Sequence, residues 1–212
     1  MKNNKELIAS MIEKGALKSP QIIEAFEKID RKNFIPEGFR EHMYIDRPLP
    51  IGKDQTISQP STVAFMLEQL QPQKGEKILD IGSGSGWTTA LLCQIVGKEG
   101  SVLGLERHDE LVKRGQENLA KLALGEHCRI EKAGRELGKP GEQYDRILVS
   151  ASAEEIPEEL FTQLKTGGIL VIPVQNSIFR FKKISDTKVE AMEFPGFVFV
   201  PLVRERMTEK EM

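Results

Sequence analysis

Lys77–Gly86 reads KILDIGSGSG, and this stretch decides the fold. A short apolar run (Ile78, Leu79, Ile81) carries one acid, Asp80. It ends in glycines at every second position, Gly82, Gly84 and Gly86, with Ser83 and Ser85 between them. Trp87 to Val96 follows, apolar at helical spacing, and stops at Gly97. The pattern predicts a strand, a tight glycine turn and a helix, which lets a ligand approach backbone N–H groups at a helix N-terminus. The triplet by itself also fits a plain strand–helix connection. A dinucleotide fingerprint, G-x-G-x-x-G, requires glycine at position 87, where this chain has Trp, so a dehydrogenase is disfavoured.

A second acid strengthens the ligand reading. Ser101 to Glu106 (SVLGLE) forms the next strand, and its last residue lies twenty positions beyond Gly86. In a βαβ unit this sets a carboxylate beside the glycine turn, where ribose hydroxyls donate to it. An ordinary solvated acid at a strand end has the same sequence. The alternation continues with a helix at Asp109–Leu124, a strand at Arg129–Lys132, a strand at Tyr144–Ser150 and a helix at Pro157–Leu164. After Gly167 and Gly168 comes a strand at Ile169–Val174, and then two more at Ser177–Ser185 and Phe194–Leu202. Alternation of this kind predicts an α/β fold, a mostly parallel seven-stranded sheet with helices on both faces and an antiparallel finish.

Composition narrows the class. The chain has 212 residues, 39% hydrophobic, enough for one sizeable core. Thirty basic against thirty-two acidic residues leave a net charge of −2, so neither nucleic acid nor an anionic membrane is indicated as a partner. Cys93 and Cys128 are far apart and form no C-x-x-C, so they read as small buried hydrophobes rather than a disulfide or metal pair. His42, His108 and His127 are scattered, and no metal site is expected. Neither a signal peptide nor a membrane span is evident, which points to the cytoplasm; a monomer is expected, though the sequence itself does not report oligomeric state.

Ahead of the glycine turn, Leu7, Ile8, Met11 and Ile12 share one helical face, and Gly15 ends that helix. Ser19 and Pro20 open a second helix with Ile22, Ile23, Phe26 and Ile29 on one side. From Asn33 to Gln59 the chain is irregular and rich in proline and glycine, yet its apolar residues (Phe34, Phe39, Tyr44, Leu49, Ile51) argue that it packs down and is functional. Another helix covers Thr62–Leu70. Residues 1–60 thus read as helices and a loop packed on a Rossmann-like domain at 61–203, with a charged tail at 204–212.

The G-x-G-x-G spacing resembles motif I of the Rossmann-like S-adenosylmethionine-dependent methyltransferases. Residues 46–60, DRPLPIGKDQTISQP, make the resemblance specific. Ahead of such a strand they are similar to the D-x-P-L-P-I-G…Q-T-I-S-x-P segment of the protein-L-isoaspartate O-methyltransferases. The likeness extends through Phe34-Ile35-Pro36, Tyr144-Asp145-Arg146-Ile147, Gln163 to Gly168, Ile172-Pro173-Val174 and Phe199 to Val203. The resemblance implies methyl transfer from S-adenosyl-L-methionine to the α-carboxylate of L-isoaspartyl residues in damaged proteins and peptides. It assigns cofactor contacts to Gln55, Thr56, Ile57, Ser58, Asp80, Gly82, Ser83, Gly84, Ser85, Gly86, Glu106, Arg107, Ala133 and Gly134. It assigns substrate contacts to Ile57, Ser58, Gln59, Pro60 and Val203, and the active-site role to Ser58. Ser58 followed by a proline also fits a helix cap.

Departures from the family pattern cluster near these sites. Asp54, preceded by Lys53, stands where glycine commonly precedes Gln-Thr. Ala133-Gly134 replaces an acid-glycine pair that takes up the adenine amino group, Val174-Gln175 replaces Val-Gly, and Ser61-Thr62 follows Pro60. They leave open two alternatives, a carboxyl methyltransferase for a dedicated peptide or small acid and a cofactor-binding homologue with weak turnover. An intact Gln55-Thr56-Ile57-Ser58 string speaks against the latter.

Overall fold

A computed structural model describes residues 1–203; the charged tail expected at 204–212 lies outside the described residues. In chain order the elements are α1 (Asn4–Glu13), α2 (Pro20–Lys28), β1 (Leu49–Gly52), β2 (Gln55–Ile57), α3 (Pro60–Leu70), β3 (Lys77–Ile81) and α4 (Trp87–Val96). They continue with β4 (Ser101–Glu106), α5 (Asp109–Lys121), β5 (Cys128–Lys132), β6 (Tyr144–Val149), α6 (Glu159–Thr162), β7 (Leu164–Val174), β8 (Ser177–Ser185) and β9 (Lys188–Pro195). Seven strands form one sheet in the order β5-β4-β3-β6-β7-β8-β9. The first five in that order are parallel, and β8 and β9 close the edge antiparallel. From β3 the chain winds outward to β4 and β5, then returns to lay β6 on the other side of β3. That reversal opens a crevice at the carboxyl ends of the strands, the general ligand position in open α/β sheets.

Strand alternation divides the apolar residues between two clusters. Ile78, Val102, Ile130 and Leu148 join the larger one with residues of α1 to α5, while Leu79, Leu103, Ile147 and Leu170 join the smaller one with Leu160 of α6. The N-terminal helices belong to the larger cluster: Leu7, Met11, Ile22 and Phe26 are almost fully buried in it.

Several expectations need correction. The irregular stretch contains two 3₁₀ turns (Arg31–Phe34 and Glu37–His42) and an antiparallel hairpin, β1–β2, turning at Lys53 and Asp54. The helix expected at Pro157–Leu164 is one turn long, and β7 begins at Leu164, absorbing the glycine pair at an irregularity in the ladder. The last strand is Lys188–Pro195 rather than Phe194–Leu202. Phe194 and Phe197 instead pack on Phe65 of α3, with ring centroids 5.2 and 5.1 Å away. Cys93 and Cys128 are a disulfide joining α4 to β5, their Cα atoms 5.9 Å apart. Spacing conceals this pairing because α4 packs back beside β5.

Candidate active site

The glycine turn sits at the centre of the crevice. Gly82, Gly84 and Gly86 all have positive φ (83°, 54° and 90°), a region that L side chains rarely adopt. The turn delivers the chain into α4, whose first residue is Trp87. Gly104 of β4 lies in register with Asp80, and a methyl there would stand 2.9 Å from Thr89 Oγ1. Its absence gives the Thr89 hydroxyl room to donate to Asp80 Oδ2 at 2.6 Å. Asp80 is wholly buried and its Oδ1 has no partner among the described residues. Burial pushes its carboxyl up to about 7; the Thr89 hydrogen bond opposes this and the Glu106 charge adds to it.

Glu106 ends β4 with its carboxylate aimed back at the turn. Oε2 accepts from the Gly84 N–H at 3.0 Å and Oε1 from the His108 N–H at 2.9 Å. Each oxygen keeps a lone pair for a further donor. Gln55, Gly82, Glu106, Arg107, Ala133, Gly134 and Val203 line one cavity of about 220 Å³. On the other flank of the turn, Thr56, Ile57 and Ser58 share a smaller recess with Ser83, Gly84 and Ser85. Asp80 and Gly86 lie behind these surfaces and line neither.

The β1–β2 hairpin brings the second flank into place. Ile51 packs over the turn, so a methyl on Gly84 would stand 3.1 Å from Ile51 Cδ1. From α5, Arg114 donates to the Ile51 carbonyl and Asn118 donates to that of Ser85 at 3.0 Å, tying hairpin and turn to one helix. Ser58 is half-buried, and among the described residues its hydroxyl makes no hydrogen bond. It is not the cap of α3: that position is Gln59, and the Ser61 N–H is taken by Asp46 Oδ1 at 2.9 Å. Pro60 is buried as the first residue of α3, and Gln59 donates to Ser61 Oγ.

Other residues at the site carry no motif. His108, Lys132, Glu136 and Leu202 also line the larger cavity, and His108 Nε2 is buried without a partner among the described residues. They sit at or just past the ends of β4 and β5, or on the segment after β9, where only the assembled sheet shows their proximity. Among the described residues no group of three or more His, Cys, Asp or Glu is placed to hold a metal ion.

The donor set suits a nucleoside linked to an amino acid. The Glu106 carboxylate is an acceptor of the kind a vicinal diol needs, backbone N–H groups at the head of α4 are donors of the kind a carboxylate needs, and the buried Ser83 hydroxyl has no partner among the described residues. A sheet of this order with this turn at its switch point defines a Rossmann-like S-adenosylmethionine-dependent methyltransferase. More narrowly, the chain belongs to the protein-L-isoaspartate (D-aspartate) O-methyltransferase family, whose model matches residues 2–207. A protein-L-isoaspartate O-methyltransferase of Ignicoccus hospitalis is 39% identical over 206 residues, covering 95% of this chain and 97% of that relative. One from Flavobacterium psychrophilum is 41% identical over 206 residues, covering 95% and 94%. A Plasmodium falciparum protein named for the same activity, crystallised with S-adenosyl-L-homocysteine, superposes with a TM-score of 0.87. It is 27% identical, and the match covers 97% of this chain and all of that one.

Proposed function

We propose that this chain methylates the α-carboxylate of L-isoaspartyl residues in damaged proteins, using S-adenosyl-L-methionine. The observation that carries the reading is the seating of Thr56–Ser58 across the glycine turn from Glu106. Two flanks of one turn thus serve donor and acceptor. Bound there, the donor supplies an electrophilic methyl carbon and a neutral thioether leaving group. Glu106 accepts from the ribose, the backbone of Gly82 to Gly86 faces the amino-acid end, and Arg107, Ala133 and Gly134 flank the base, with Gln55 across the cavity. Ser58 donates to the acceptor carboxylate and fixes its direction of attack. Ile57, Gln59, Pro60 and Val203 form the surroundings of the acceptor peptide. An α-carboxylate is ionised at pH 7 and needs no general base. Catalysis then rests on alignment, which can contribute several kcal/mol. The ester formed is an activated acyl group: the neighbouring main-chain nitrogen attacks it, methanol leaves, and water then opens the resulting succinimide in part to normal aspartate.

Transfer of labelled methyl to an isoaspartyl peptide, beside its normal aspartyl counterpart, tests this. Label in the isoaspartyl peptide alone is expected; equal labelling, or none, refutes it. The near-neutral charge supports a protein without nucleic-acid or anionic-membrane partners, and among the described residues no helix is long and apolar enough to cross a membrane. The Cys93–Cys128 disulfide weighs against a reducing compartment. Alkylation of free thiols in fresh lysate reads which state the pair holds.

A further inference from the structure

Arg31 follows α2 and has no access to solvent. Its guanidinium faces four main-chain carbonyls of the segment that leads to the acceptor flank. Nη1 donates to Met43 and Ile45 at 3.1 Å each; Nη2 donates to Arg47 at 2.9 Å and to Ser58 at 3.1 Å. The same group lies over the Trp87 ring, 5.5 Å from its centroid. Trp87 is the residue after Gly86, so one planar cation touches both the acceptor string and the head of the glycine-turn helix. Burying a charge is costly unless its hydrogen bonds are made. Here four of five N–H groups are placed, and Nε alone lacks a partner among the described residues. Lysine cannot substitute, since its three donors radiate from one point and cannot span carbonyls on both nitrogens.

We infer that Arg31 is a positioning residue for methyl transfer, setting the Ser58 main chain against the donor end of the site. The Ser58 carbonyl is held from beneath while its hydroxyl stays free for the acceptor. In-line transfer tolerates little displacement between attacking oxygen and methyl carbon. The residues lining the donor cavity are not among Arg31's partners. Its loss should therefore lower turnover far more than cofactor affinity, with which its link is a ring contact to Trp87 rather than a hydrogen bond to the donor cavity.

This inference rests on the isoaspartyl reading, and the experiment keeps the two apart. Wild-type turnover on the isoaspartyl peptide is measured first; if there is none, the functional reading fails by itself. Arg31→Lys is then compared by calorimetry with S-adenosyl-L-homocysteine and by kcat and KM for the peptide, with rates referred to binding-competent sites. S-adenosyl-L-homocysteine affinity within about threefold of wild type and kcat lowered on the order of 100-fold are expected, the cost of a displacement near 1 Å. Should that variant not fold, Arg31→Gln, which buries no charge and keeps two N–H donors, is measured the same way. Unchanged kcat in either folded variant overturns the assignment. So does loss of product binding in both, since Arg31 would then serve folding alone.

Discussion

Replacing Glu106 by Ala removes one carboxylate that holds the glycine turn and that the proposed function also sets against the cofactor. Toward the cavity, on the proposed function, it withdraws a charged acceptor from the ribose hydroxyls. Toward the protein, it strips the acceptors from the Gly84 and His108 N–H groups, held at 3.0 and 2.9 Å in a site only 5% exposed. A hydrogen bond to a charged partner contributes about 1.5–3 kcal/mol. At about 1.4 kcal/mol per decade, affinity for S-adenosyl-L-homocysteine falls on the order of 10- to 100-fold. Each backbone N–H left dry costs about 1–3 kcal/mol of stability, lowered where the vacated space admits water. For a chain of this size each kcal/mol lowers Tm by about 2–4 °C. Glu106→Gln separates the two roles, since its oxygen serves one N–H while its amide confronts the other. Calorimetry at one salt concentration, paired with thermal scans, reads both quantities. A lowered Tm with affinity unchanged within about twofold would show that Glu106 only braces the glycine turn, and would remove it from the ribose site.

Ser58→Ala should lower kcat by about 10- to 100-fold, the value of one hydrogen bond to a carboxylate. Affinity for S-adenosyl-L-homocysteine and Tm should hold, because the hydroxyl neither caps α3 nor bonds elsewhere among the described residues; a large Tm loss refutes this. Asp80 has a folded pKa near 7 against an ordinary 3.8, so between those values the native state holds a proton that the unfolded chain has released. Wild-type stability therefore falls as pH rises through that window, and Asp80→Asn gains on wild type between pH 4.5 and pH 8 in urea midpoints. A constant difference at both pH values contradicts the burial account. Lys53 and Asp54 turn the hairpin at φ of 56° and 55°, so Asp54→Gly should raise stability by about 0.5–1 kcal/mol in denaturant titrations, and a loss would mean that Asp54 is held by contacts beyond its turn. Ala133→Asp restores a base-side acceptor and should tighten S-adenosyl-L-homocysteine binding about two- to tenfold. Weaker binding would show a pocket built around the small residue.

The strand, glycine turn and helix at 77–96 were legible because a run of apolar residues, positive-φ glycines and helical periodicity each signal locally. Glu106 was legible from its distance to that turn. The hairpin was not: Pro50 interrupts its first strand, and Lys53-Asp54 lacks the Asn-Gly chemistry that marks such turns. Strand β9 was misplaced because nearly every one of its positions is exposed, leaving no alternation to read, while the apolar residues after it cover α3. Arg31 left no trace because its partners are carbonyls, identical in every residue type. Asp46 caps α3 from fifteen residues upstream, beyond the reach of any local cap pattern. The cysteine pair spans thirty-five positions and meets only once α4 has crossed back over the sheet.

Pro201, Leu202 and Val203 wall the cavity that Gly82 and Glu106 floor. They are pinned there by backbone bonds, Ser152 N–H to the Val200 carbonyl at 2.8 Å and Leu202 N–H to the Ser152 carbonyl at 2.7 Å. On the ribosome these wall residues emerge after every strand of the sheet has been made. A chain in which β3 to β9 have paired still lacks one side of this cavity until Pro201 to Val203 dock. A ligand that fills the cavity therefore favours the docked segment along with the sheet, and its binding free energy is felt at the end of the chain as well as at the glycine turn.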